Sequence, residues 1–169
     1  MLPLPSRPDV TPHVRSLPPP VPMLRPARSG VMATPLASMQ DLSAIIRTLA
    51  AEPTFETAAR LVQREACRLT RSTDALVVVV DWARSVIWTL QGRVTSEATQ
   101  QLVAQVASSG HRSVLGNSLL EPLGNAPARA VLALRRPSGL SFQPAEVAMV
   151  AALAGGFAPI LERLLAAQP

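Results

Sequence analysis

The distribution of apolar positions along the 169-residue chain changes character at Asp41. Before it, hydrophobic residues are scattered among prolines. Ten of the seventeen prolines fall within residues 1–38, including Pro18-Pro19-Pro20 and Pro22. Proline fixes φ and has no N–H to donate, so helix and central strand are both excluded there. A Pro-rich disordered or polyproline-II tail is predicted over 1–38, with two PxxP spacings, Pro5 to Pro8 and Pro19 to Pro22. From Asp41 onward, Leu42, Ile45, Ile46 and Leu49 recur at helical spacing, with Asp41 as the predicted N-cap. Pro53 closes this segment. Thr54 then caps a second helix with Phe55, Ala58, Ala59, Val62, Ala66 and Leu69 on one face and Arg60, Arg64, Glu65 and Arg68 on the other.

Period-two and continuous apolar runs follow. Ala75 to Val80 is an unbroken, mostly β-branched stretch, the pattern of a strand covered on both faces. Val86 to Leu90 lies close enough to pair with it as an antiparallel hairpin, and Gly92 ends that run. Ser96 is placed to cap a helix containing Leu102, Val103 and Val106, with Gly110 just beyond its end. Three strand-like pieces come next, His111 to Leu115, Ser118 to Leu123 and Ala128 to Arg135, separated by Gly116-Asn117 and Gly124-Asn125-Ala126-Pro127. Pro144 and Glu146 open a long helix with Val150, Leu153, Phe157, Leu161, Leu164 and Leu165 along one side. Gly155, Gly156 and the interior Pro159 predict a kink near Gly155.

Helix, helix, hairpin, helix, three strands and a long helix is a succession that resembles the GAF domain family. The most specific part is Leu119 to Leu165. There Leu120-Glu121-Pro122-Leu123, Ala130 to Arg135, and Ser141-Phe142 to Glu146 with the following helix are similar to the closing pattern of that family. The resemblance covers Asp41 to Ala167 and implies one GAF-like domain over 41–167. The implied class is α/β (α+β), a GAF/profilin-like antiparallel sheet with helices on both faces, two N-terminal helices and a long C-terminal helix. It also implies a small-ligand pocket near Trp88, Val103, Val106, His111, Val114 and Leu120, and terminal helices that pack together and often dimerise.

Some equipment of the family is missing. No Asn-Lys-x-Phe-x-x-x-Asp-Glu motif occurs, so cyclic-nucleotide binding is not expected. Cys67 lies on a helix ahead of the first strand, unlike a bilin-attaching cysteine, and the sulfoxide-reducing enzymes of the family use more than one cysteine. No cofactor is expected. The connection between the second strand and the next helix is brief, where family pockets often gain a lid.

Composition narrows the partners. The sequence pI of 11.4 suggests nucleic acid, but every basic residue is arginine, and the net charge is only +5. Arg7, Arg15, Arg25 and Arg28 against Asp9 place +3 of it in the first 40 residues. With 3% aromatic residues and no tyrosine, stacking platforms are scarce, so no nucleic-acid role is expected. A single cysteine cannot form an internal disulfide, and the N-terminal segment lacks an apolar run long enough for a signal or a span. A cytoplasmic protein without membrane attachment is predicted.

Catalytic and metal-ligating residues are predicted to be none. No Ser-His-acid order, paired metal spacing or phosphate-cradling glycine loop is present. His111 reads as a solvent-facing turn histidine or, alternatively, a pocket donor or haem ligand. Asp74 and Asp81 stand at opposite ends of a strand, over ~20 Å apart, and cannot share a substrate atom. Arg135-Arg136 reads as a solvated turn. The stripes Leu42, Ile45, Ile46, Leu49 and Leu153, Phe157, Leu161, Leu164 are expected to serve core packing, a homodimer or signalling-partner interface, or both. Three functions are compatible with these features: a non-catalytic GAF-like sensory or regulatory module, a Roadblock-like scaffold regulating a small GTPase, and a small redox enzyme of the GAF type using Cys67.

Overall fold

Val77, Val78, Val79 and Val80 are all buried because the strand carrying them lies inside a sheet with helices on both sides. The structure, a computed structural model, describes residues 35–167. Its elements in chain order are α1 (Pro35–Ala51), α2 (Phe55–Thr70), β1 (Asp74–Asp81), β2 (Val86–Thr89), β3 (Gly92–Arg93), α3 (Glu97–Ser109), β4 (Ser113–Leu115), β5 (Ser118–Pro122), β6 (Ala130–Arg135) and α4 (Pro144–Ala166). The strands form one sheet of order β3-β2-β1-β6-β5-β4, antiparallel at every pairing. The α+β class, the two leading helices and the long closing helix are those the sequence predicts.

Alternation divides β1 between two apolar cores. Val77 and Val79, opposite Leu132 and Ala130 on β6, face α1, α2 and α4. Val78, opposite Val131, and Val80 face α3, where Val103, Val106 and Ala107 close over them. Each fully buried Val, Leu or Phe contributes about 1.5–3 kcal/mol through loss of apolar surface from water. The first core is much the larger, and Phe157, Leu153 and Leu161 of α4 are at its centre with no exposure.

Helix ends follow the predicted chemistry. The Thr54 hydroxyl accepts the Thr57 N–H at 3.3 Å, and Ser96 accepts the Thr99 N–H at 3.4 Å. Gly110 adopts φ +67° and its N–H donates to the Val106 carbonyl, closing α3. The Glu146 carboxylate reaches back to the Gln143 N–H at 2.8 Å and satisfies a donor at the start of α4.

Several boundaries differ from expectation. α1 begins at Pro35, so Asp41 is an exposed interior position and not its cap. Residues 1–34 of the predicted tail, including both PxxP spacings, lie outside the described residues, and residues 35–38 belong to α1. Gly92 does not end the hairpin; with Arg93 it pairs back on β2 as β3. α4 is one helix from Pro144 to Ala166, continuous through Gly155, Gly156 and Pro159. Its Leu153, Phe157 and Leu161, on both sides of Pro159's missing bond, are buried in the large core. It is 23 residues long and contains an 18-residue window of mean hydropathy 1.6, which matches a membrane span, yet here its apolar side packs on α1, α2 and the sheet.

The stripes expected to serve an interface are mainly spent inside the chain. Leu42, Ile45 and Leu49 of α1 and Leu153, Phe157, Leu161 and Leu164 of α4 are buried in the large core, and Ile46 packs against it. The two helices cover each other as well as the sheet face, which is why these residues are buried.

Candidate functional site

The smaller core does not fill the space between α3 and the sheet. Hydrogen bonds pin α3 at both ends: Gln100 donates its side-chain amide to the Val94 carbonyl, and the Ala107 carbonyl accepts the Ala128 N–H at 2.8 Å. Beneath the N-terminal half of α3, a groove of about 620 Å³ remains open. Its floor is Leu76 and Val78 of β1, Leu120 of β5 and Ala133 of β6, and its wall includes Val94, Leu102 and Val103. Small Ala133 on the central strand leaves the depression. Asp74, Gln91, Thr99 and Arg135 also line it and supply donors and acceptors beside an apolar trough. That combination suits a molecule with an apolar body and a hydrogen-bonding head.

The predicted pocket residues do not all meet here. Val103 and Leu120 line the groove. Val106 is buried in the same core, beyond the opening. Trp88 lies on the other side of the sheet, opposite Val79, with its ring edge-on to Phe55 at 5.4 Å between centroids. Its neighbour Ile87 takes the α3 side, so alternation along β2 removes Trp88 from the pocket. Val114 pairs with Leu119, a residue of the larger core, and is 44% exposed near the sheet edge. His111 is exposed in the link from α3 to β4, its N–H donating to the Ser109 hydroxyl. The predicted set is thus split between both faces and an edge. Leu76, Val78, Val94 and Ala133 were missed, although the period-two alternation of β1 and β6 marks them once α3 is assigned to the side of Val78.

Other titratable groups are placed apart. Asp74 and Asp81 occupy opposite ends of β1. Among the described residues, no group of three or more His, Cys, Asp and Glu is placed to hold a metal ion. Cys67 is half-buried; burial pushes its thiol pKa up, and the negative charge of Asp74 pushes it further. Less thiolate is therefore present at neutral pH than for a free cysteine.

Glu121 is 6% exposed on the α4 side of β5, opposite Leu132. Burial raises its pKa above the ordinary glutamate value, and Arg112, with Nε 3.3 Å from Oε2, opposes that rise. A raised folded-state value means that the folded chain holds this proton to higher pH than the unfolded chain. The contribution of Glu121 to stability therefore falls as pH rises from the unfolded value through the folded one. In urea titrations between about pH 4 and about pH 7, Glu121→Gln should remove that decline relative to the parent chain. An identical pH profile for the two proteins would contradict it.

The class defined so far is an α+β domain with a mixed-sided antiparallel sheet, helical termini paired on one face and a groove under a lone helix on the other. Several solved GAF domains share this arrangement. The GAF domain of an Acinetobacter phosphoenolpyruvate-protein phosphotransferase superposes with a TM-score of 0.69 at 11% identity, over 79% of this chain and 97% of that one. The GAF domain of the Coxiella burnetii phosphoenolpyruvate-protein phosphotransferase gives 0.64 at 15% identity, over 78% and 96%. A GAF domain assigned to a sensor histidine kinase of Pseudomonas syringae pv. tomato gives 0.60 at 21%, over 78% and 91%. No protein-family model matches the sequence, and no curated protein matches it. The described chain has the GAF-domain fold.

Proposed function

We propose that this chain is a non-catalytic sensory or regulatory module of the GAF type that binds a small molecule in the groove under α3. The observation that carries this reading is the trough of about 620 Å³ with an apolar floor and a polar rim, a size suited to a small organic ligand. The likeness to GAF domains of signalling and phosphotransfer proteins supports it. Occupancy would be passed through β1 and β6, which floor the groove and also carry the core beneath α1 and α4, to a second copy or another signalling protein in the cytoplasm. The raised pKa of Cys67 favours this reading over a thiol-dependent reductase.

A thermal-shift screen of small metabolites on the full chain tests the proposal. A ligand at a hundredfold excess over its Kd should stabilise the fold by about 2.7 kcal/mol. Ala133→Phe, which fills the trough, should abolish the response, whereas Cys67→Ser should leave it intact. A stabilising ligand whose effect survives Ala133→Phe would overturn the assignment of the groove.

A further inference from the structure

On the opposite side of the sheet, a second groove of about 460 Å³ runs between α4 and the turn from β5 to β6. Its α4 wall is made of Ala151, Ala154, Gly155 and Ala158, small side chains that leave room for an occupant. The two charged residues lining it are both acidic, Glu121 and Glu162. We propose that this groove binds an organic cation, a primary ammonium or guanidinium group on a short aliphatic chain.

Both charged side chains of the lining are acceptors, beside the amide of Asn125. Glu121 is more than nine-tenths buried, and its Oε2 has no hydrogen-bond partner. Its charged neighbour, Arg112, approaches at 3.3 Å without forming a hydrogen bond to that oxygen, and its side chain is 43% exposed. Among the described residues, no cation is paired with Glu162. Pro159 also lines the groove, and its missing N–H deprives the Gly155 carbonyl of the usual helical donor. An ammonium group offers three donors and a guanidinium five, with no acceptors, which is the complement of such a wall. Entry of a cation lets Arg112 turn outward into water, so Glu121 exchanges one positive partner for another and stays neutralised. The small α4 side chains then cover the aliphatic part.

Isothermal calorimetry on the full chain with 1,4-diaminobutane and agmatine, against 1-butanol and butyrate, tests the proposal. Saturable heats are expected for at least one of the two amines and for neither control. Glu121→Gln and Glu162→Gln should each weaken binding by about tenfold or more, the scale of one charge-assisted hydrogen bond. Gly155→Leu should abolish it by filling the groove. That position is exposed, with no atom within 4 Å of an added Cβ, so this variant keeps the test valid if a change at buried Glu121 prevents folding. Absence of saturable heat with either amine up to about 10 mM, or affinity unchanged in Gly155→Leu, would overturn the proposal.

Discussion

Arg136→Met is expected to lower the unfolding free energy by about 3–5 kcal/mol, a large part of what a domain of this size has. Arginine in a turn after a strand is ordinarily solvated, and the sequence predicts that for both Arg135 and Arg136. The structure separates them: Arg135 is exposed, and Arg136 is 8% exposed. Its Nε donates to the Thr70 carbonyl at 3.0 Å and its Nη1 to the Ser141 carbonyl at 2.7 Å, while Nη2 reaches the Thr70 carbonyl and Glu146. The guanidinium carbon lies 4.5 Å from the centroid of the Phe142 ring. One side chain thus ties the end of α2, the loop after β6 and the first turn of α4. Methionine keeps the aliphatic bulk but leaves two carbonyls and a carboxylate short of donors, which is the costly way to dismantle a buried pair. Arg136→Lys should recover only part of the loss, because a single ammonium cannot span the fork. Arg135→Met should change stability by no more than about 0.5 kcal/mol. Urea midpoints of the three variants decide it, and a loss under about 1 kcal/mol for Arg136→Met would show that the cluster is dispensable.

Two adjacent glycines in α4 should respond with opposite signs. A Cβ on Gly156 would stand 2.3 Å from Cδ1 and 2.7 Å from Cγ1 of Ile46, so α1 rests directly on the bare backbone of α4 there. Gly156→Ala must push Ile46 out of its rotamer or lift α1, at a cost of about 1–3 kcal/mol. One residue earlier, nothing lies within 4 Å of an added Cβ, and Gly155→Ala should stabilise by about 0.5–1 kcal/mol through helix propensity. Combining Gly156→Ala with Ile46→Ala should cost less than the sum of the two single changes, since the second removes the clash made by the first. Thermal melts of the single and double variants give the comparison. Additive losses would mean that the α1 contact is not what excludes a side chain at Gly156.

Much of the architecture could be read from residue order because local signals agreed with one another. Thr54, Ser96, Pro144 and Gly110 mark helix ends by donor and acceptor arithmetic, and the Ala75–Val80 run announces a strand covered on both faces. What escaped was set by distant partners. Whether Trp88 faces the groove under α3 depends on its register opposite Val79, and nothing near Trp88 in the chain states it. The start of α1 was obscured by Pro35, which ends a Pro-rich segment and also suits the first position of a helix. Burial of Arg136 is visible only when Thr70, 66 residues away, is brought beside it. The acidic groove was likewise hidden, because Glu121 and Glu162 meet only across the sheet and α4.

The placement of α4 bears on how the domain comes into being. It is the last element of the described chain, yet it supplies the centre of the larger core and the seat for α1, the first. During synthesis, α1 emerges before the helix it packs on, and the sheet face of Val77, Leu132 and Leu119 lacks the part of its cover that α4 supplies until that helix follows. A nascent chain stalled before Pro144 would therefore carry an apolar sheet with half its cover missing. Exposed apolar surface of that kind is what holdase chaperones bind, and closing α4 over the sheet removes it.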